Sequence, residues 1–274
     1  MWCKNCNIET NEGNCPVCGS VTIEDLPTKI YWCKSCKTPV IQTINQPDEG
    51  ICPICGKKTK YLSSDIRPVF PEERLLIECL LDKEPNEYVQ DSVWASNSRY
   101  YINGKSISIP AKLFASANTD ALAAKIGQYS RGNTYEYFDK HISCFVEANK
   151  MRLAYLKDEA FNFVRQAAQR FPEENIVISF SGGKDSTVTA DVTIKALSNP
   201  SLVHIFGNTT LEFPYTIDYA ERYRDAHPMA IFQIAKNDEQ VFYDVCEDIG
   251  PPARMMRWCC SMFKTGPISR VINS

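Results

Sequence analysis

The chain has 274 residues, with 30 Lys plus Arg against 33 Asp plus Glu and a formal charge of −3. That length exceeds what one small core organises, so more than one domain is expected, and the mild acidity excludes a uniformly basic nucleic-acid binder while leaving local basic patches open. The sequence shows no cationic segment followed by an apolar run, and no stretch nears the ~18 apolar residues of a membrane span, so a cytoplasmic protein without membrane contact is expected. Thirteen cysteines in such a chain point to metal ligation or redox chemistry before a disulfide scaffold.

The first 62 residues carry eight of those cysteines as Cys3-x2-Cys6 with Cys15-x2-Cys18, and Cys33-x2-Cys36 with Cys52-x2-Cys55. Each Cys-x2-Cys step aims two thiolates at one ion, and two steps complete a tetrahedral sulfur shell with no open position. Gly19 and Gly56, directly after Cys18 and Cys55, suit knuckles whose backbone needs positive φ. Two structural zinc ribbons are read, at 1–26 and 27–62; an iron-sulfur cluster or free surface cysteines are the alternatives. A ribbon can contact RNA, DNA or protein, and the cysteine spacing does not choose among them.

Residues 63–140 read as a small α+β module. Pro71 falls near the first turn of a short helix, and Val93 to Ile102, Asn103-Gly104 and Lys105 to Ile109 read as a β-hairpin closed by a type I′ turn. Tyr100-Tyr101 suits either base stacking or packing against the neighbouring helix.

The last segment, 141–274, begins inside a helical pattern running from Tyr137 to Arg170. Then Ile176 to Phe180 reads as a buried parallel strand. Ser181-Gly182-Gly183-Lys184-Asp185-Ser186 follows at once, and Thr187 to Leu197 reads as a helix. Two glycines let backbone N–H groups turn inward as an anion nest at a helix N-terminus. Ser181, Ser186 and Thr187 offer hydroxyls and Lys184 a cation, while Asp185 caps the helix or holds magnesium; Ser179, on the strand, joins the same set. Ile178 and Asp185 occupy positions where a Walker A loop needs Gly and Ser or Thr.

The loop resembles the PP-loop of the adenine nucleotide α-hydrolase superfamily. Within it, Asn208-Thr209-Thr210-Leu211-Glu212-Phe213-Pro214 and Arg257-Trp258-Cys259-Cys260 with Lys264 and Pro267 resemble the phosphoadenosine phosphosulfate (PAPS) reductase family. Asn208-Thr209 stands where the family commonly carries Asp-Thr, so the position bears no charge; an amide can still bond a ribose or adenine edge. The resemblance implies a doubly wound α/β sheet, and a nucleotide (PAPS, adenylyl-sulfate or ATP, the last with Mg) on the loop. It also implies that Arg257 and Lys264 clamp sulfate or phosphate, and that a thiol reductant protein acts as partner in sulfur metabolism. The Cys259-Cys260 pair resembles half of a [4Fe-4S] ligand set; two small hydrophobes packing together is the other reading.

Three strands are legible where such a sheet usually has five, so an incomplete domain with an apparently truncated C-terminus, weakly active by itself, is expected. A PAPS reductase-like oxidoreductase is the leading expectation. The alternatives are ATP-dependent adenylation with sulfur transfer to tRNA or DNA, recruited through the ribbons, and a non-catalytic nucleotide-binding module.

Overall fold

The computed structural model describes residues 2–3, 8–10, 13–22, 29–42, 50–96, 99–129 and 134–273. They form two units, Met1–Leu153 and Ala154–Ser274.

In the first unit, β1 (Trp2–Cys3) pairs antiparallel with β2 (Ile8–Glu9). Next, β3 (Lys29–Cys33) is flanked by β4 (Thr38–Gln42) and β5 (Lys60–Ser63) in a three-stranded antiparallel sheet. A four-stranded sheet follows, made of β6 (Arg67–Pro68), β7 (Val93–Ser96), β8 (Arg99–Ile102) and β9 (Lys105–Ser108), with α1 (Pro71–Leu80) inserted after β6. Pro71 occupies the first turn of α1 as read, where a missing N–H costs nothing.

Asn103 (φ 49°) and Gly104 (φ 77°) make the expected turn, and a Cβ on Gly104 would run into the Trp32 indole. The long arm from Val93 to Ile102 is, however, two strands. Val93 pairs with Ile102, Trp94 with Tyr101 and Ser96 with Arg99, so β7 and β8 run antiparallel beside each other. Folding back brings Trp94 and Tyr101 into one buried cluster with Trp32. The Tyr100 hydroxyl donates to Glu73 at 2.9 Å, which accounts for the aromatic pair through packing and hydrogen bonding.

After α2 (Ala111–Ala115) and α3 (Thr119–Tyr129) comes the pattern read as one helix from Tyr137 to Arg170. It is two helices, α4 (Glu136–Ala148) and α5 (Lys150–Ala168), broken at Asn149. The buried Asn149 side chain accepts the Ile41 N–H at 2.6 Å and donates to the carbonyls of Pro39 (3.1 Å) and Phe145 (2.7 Å). A short amide that serves a neighbouring strand as well as its own helix competes with helix continuation.

The second unit is a three-stranded parallel sheet of β10 (Val177–Phe180), β11 (Val203–Asn208) and β12 (Ile231–Lys236), adjacent in that order. The right-handed crossovers expected of parallel strands run through α6 (Lys184–Leu197) and α7 (Pro214–Ala226). Ile178, Phe180, Phe206 and Phe232 point to one face and pack with Ala190, Ala220 and Tyr223 of these helices. The chain continues through α8 (Phe242–Ile249) and a π-helical turn (Cys260–Thr265) into α9 (Gly266–Asn273). Ile268 of α9 packs on Gly207, whose Cβ direction is the opposite face, so both faces carry helices and the α/β, doubly wound reading holds. Among the described residues, no helix is long and apolar enough to cross a membrane.

Candidate nucleotide site and metal centres

The loop lies where β10 hands over to α6, at the carboxyl edge of the parallel strands, the usual ligand-binding side of such sheets. Gly182 has φ +73°, and Gly183 is the N-cap of α6 with extended backbone and no side-chain cap. Asp185 therefore does not cap the helix; it sits in the first turn. The Ser181 hydroxyl donates to Ser186 Oγ (3.1 Å), and Ser186 and Thr187 both donate to the Gly183 carbonyl (2.9 and 3.0 Å). These bonds fix the turn from within. Among the described residues, no acceptor takes the amides of Gly182, Gly183, Lys184 or Asp185. The 14-residue α6 adds its positive end to that bare N–H cluster.

One wall of the loop comes from α7, which residue patterns alone did not single out. A Cβ on Gly182 would stand 3.1 Å from Thr216 Cγ2 and 3.8 Å from the Tyr219 ring. Tyr219 Oη lies 3.0 Å from Thr187 Oγ1. The available signal was Pro214 at the start of α7, because it sets Thr216 and Tyr219 three apart on one helix face.

Ser179 is mid-strand and exposed on the face opposite Phe180, without a bond to the loop. Asn208 ends β11; its Oδ1 accepts the Thr210 N–H at 2.9 Å, fixing a turn in which Thr210 has φ +68°. Thr209 bonds Glu212 through both its N–H (2.9 Å) and its hydroxyl (2.6 Å), and Thr210 Oγ1 accepts the first amide of α8 (2.9 Å).

Lys264 is exposed in the π-helical turn, and Arg257 is exposed just before it. A Cβ on Gly266 would collide with the Ser261 carbonyl, so the widened turn depends on that glycine. Among the described residues, no hydrogen bond or ion pair joins Arg257 or Lys264 to the loop. Arg257 Nη2 instead approaches Cys260 Sγ at 3.5 Å. Cys259 and Cys260 are half-buried and belong to no group of three or more metal-ligating side chains among the described residues.

The amino-terminal cysteines do converge. The Sγ atoms of Cys33, Cys36, Cys52 and Cys55 lie within 4.8 Å of one another, with Cys33–Cys55 at 3.5 Å and Cys36–Cys52 at 3.8 Å. Four sulfurs ~2.3 Å from a tetrahedral ion would stand about 3.8 Å apart, so this shell fits a metal ion. Cys3, Cys15 and Cys18 form a second cluster, Cys3 and Cys18 being 3.5 Å apart; Cys6 lies outside the described residues. Gly19 (φ 71°) and Gly56 (φ 66°) have the expected left-handed backbone and return their amides to the carbonyls of Cys15 and Cys52. Burial raises the thiol pKa of Cys33 and Cys36, whereas the Lys57 amide lowers that of Cys55 to about 7. Cys144 of α4 adds a contact to this shell, donating to the Cys36 carbonyl at 3.5 Å.

Residues 175–274, within the α/β part of this chain, match the model of the family described as phosphoadenosine phosphosulfate reductase domain. Two similar proteins come from Methanocaldococcus jannaschii. The uncharacterized protein MJ0066 is 28% identical over 144 residues, covering 53% of this chain and 29% of the relative. The uncharacterized protein MJ0973 is 25% identical over 169 residues, covering 56% and 40%. This chain therefore spans less than half the length of either relative. The crystal structure of PAPS reductase from Candida auris, in a phosphate complex, aligns at a TM-score of 0.32 and 20% identity, covering 42% of this chain and 55% of that one.

Proposed function

We propose that the loop Ser181–Ser186 binds the anionic link of an adenine nucleotide, and that the chain is a PAPS or adenylyl-sulfate reductase-like oxidoreductase of sulfur metabolism. The carrying observation is the set of bare amides from Gly182 to Asp185 at the head of α6, inside the segment that matches the reductase family. Ser179, Ser181, Ser186 and Thr187 supply hydroxyls, Lys184 a cation, and Asn208 an amide toward ribose or adenine. Arg257, with a forked donor set, and Lys264, as a point charge, neutralise the sulfate or phosphate.

In this reading a thiolate attacks the sulfur of the phosphosulfate. The S–O bond to phosphate breaks, AMP or adenosine bisphosphate leaves, and a thiosulfonate forms. A second thiolate, from a thiol reductant protein, then forms a disulfide and releases sulfite. The two amino-terminal cysteine clusters hold zinc, which supplies structural cross-links and takes no part in the reaction. The division at residues 26, 62 and 140 and a cytoplasmic, thiol-preserving setting belong to the same proposal, as does any [4Fe-4S] ligation by Cys259 and Cys260. The test is radiolabelled PAPS or adenylyl-sulfate with a dithiol reductant. Labelled sulfite is expected, and its absence from the complete protein argues against reduction.

The ribbons favour a second reading, ATP-Mg-dependent adenylation and sulfur transfer to tRNA or DNA. ATP–pyrophosphate exchange separates the two, since adenylation releases pyrophosphate and reduction does not. Nucleotide binding with neither product would leave the non-catalytic module.

A further inference from the structure

The second ribbon has a charge pattern unlike the rest of the chain. Residues 27–62 contain six lysines against two acidic residues, Asp48 and Glu49, in a protein whose net charge is −3. Lys34, Lys37, Lys57, Lys58 and Lys60 are exposed, and none is ion-paired to a carboxylate among the described residues. Interlocking of the knuckles through Cys33–Cys55 and Cys36–Cys52 gathers four of them. Lys34 and Lys37 flank Cys36, and Lys57 and Lys58 follow Cys55.

A divalent ion in four thiolates carries a net charge of about −2, and lysines beside it could serve only to balance that charge. Two observations weigh against this. Five exposed lysines outweigh the metal site's charge, and the first ribbon, with the same knuckle, carries one lysine, Lys4, against the acidic Glu9, Glu12, Glu24 and Asp25. The aromatic content differs as well. Tyr61 on the edge strand β5 is 54% exposed and stands edge-on to Tyr31, its cross-strand partner, with ring centroids 6.0 Å apart. Alternation along β3 puts Tyr31 on the same face as Cys33, so the tyrosine pair lies on the side that carries the metal knuckles.

We infer that this lysine-rich face of the second ribbon binds single-stranded nucleic acid. The lysines contact phosphates, and the exposed Tyr61 ring gives an unpaired base a stacking surface. A carboxylate-rich protein would satisfy the lysines but leave the tyrosine pair without a role, and a duplex would offer phosphates without an accessible base face. The inference stands apart from the reaction proposed for the nucleotide loop and survives if that reaction is wrong.

The test uses the full chain, metal-loaded, with fluorescently labelled 12-nucleotide RNA and DNA single strands and the matched duplex, followed by anisotropy across salt concentrations. Single strands should bind best. The log–log salt slope should be about −3, near 0.7 for each of four to five phosphates contacted. Lys57→Glu/Lys58→Glu should reduce the slope by about 1.4 and the affinity at least tenfold. Tyr61→Ala should lower affinity about tenfold with the slope unchanged. Lys105→Glu/Lys112→Glu, outside the ribbon, should change neither. Metal content and thermal unfolding establish that each variant is folded; should the double Glu variant fail, Lys57→Gln/Lys58→Gln replaces it. No binding at 50 mM salt, preference for the duplex, or affinity unaffected by the Lys57/Lys58 changes in a folded protein overturns the inference.

Discussion

Gly182 and Thr216 are in contact across the nucleotide loop: a Cβ on the glycine would lie 3.1 Å from Thr216 Cγ2, at a residue whose φ is +73°. Space and backbone both demand glycine here. Alanine would cost about 1–2 kcal/mol for the left-handed backbone alone, or move the loop away from α7. Gly182→Ala is expected to lower affinity for adenylyl-sulfate about tenfold or more, 1.4 kcal/mol being one decade. Calorimetric titration beside the wild type checks this.

Asn149 joins strand and helix in the first unit through three side-chain hydrogen bonds. Asn149→Ala leaves the Ile41 amide and the Pro39 carbonyl without their partner, at a cost of about 2–4 kcal/mol. Thermal unfolding should show a clear fall in the transition of this unit. Asn149→Asp, which keeps the acceptor for Ile41 but loses the donor, should fall between alanine and wild type.

His204 is fully buried among Phe180, Tyr223 and Phe232, with Nδ1 2.8 Å from the Leu202 carbonyl and, among the described residues, no partner for Nε2. Burial lowers its pKa below the ordinary 6.5, only partly offset by the Leu202 carbonyl. The unfolded chain thus takes up a proton at higher pH than the folded one. Stability is full above pH 6.5 and declines as pH falls from there toward the lowered folded value. His204→Phe should flatten that decline, measured as urea midpoints between pH 7.5 and 5. An unchanged slope would mean that His204 is not the group responsible.

Metal analysis of the purified chain should give about two zinc ions and no visible absorbance, as expected for two four-thiolate structural sites. Cys52→Ser should remove one of them. Iron with acid-labile sulfide at the Cys33, Cys36, Cys52 and Cys55 shell would replace zinc in the account.

The elements that set up the nucleotide site were legible because each rests on local chemistry: an apolar strand ending at Phe180, two glycines, then a helix. The knuckle glycines and the Asn103-Gly104 turn were legible for the same reason, since positive φ leaves a mark on residue choice. The misread elements depended on partners distant in sequence. The helix break at Asn149 is specified by Ile41 and Pro39, and the folding back of 93–102 by the shared burial of Trp94, Tyr101 and Trp32. Likewise, the contacts of Gly182 with Thr216 and Tyr219 arise from β10 and β11 being neighbours. The π-helical turn left only Gly266-Pro267 as a signal, too little to separate it from an ordinary helix start.

Backbone amide shifts recorded while adenylyl-sulfate is titrated into isotopically labelled protein test the central claim most directly. Anion capture by the loop predicts large, saturable shifts at Gly182, Gly183, Lys184 and Asp185, absent in Gly182→Ala. A nucleotide that binds with those four amides unmoved, or that fails to bind at all, would contradict it.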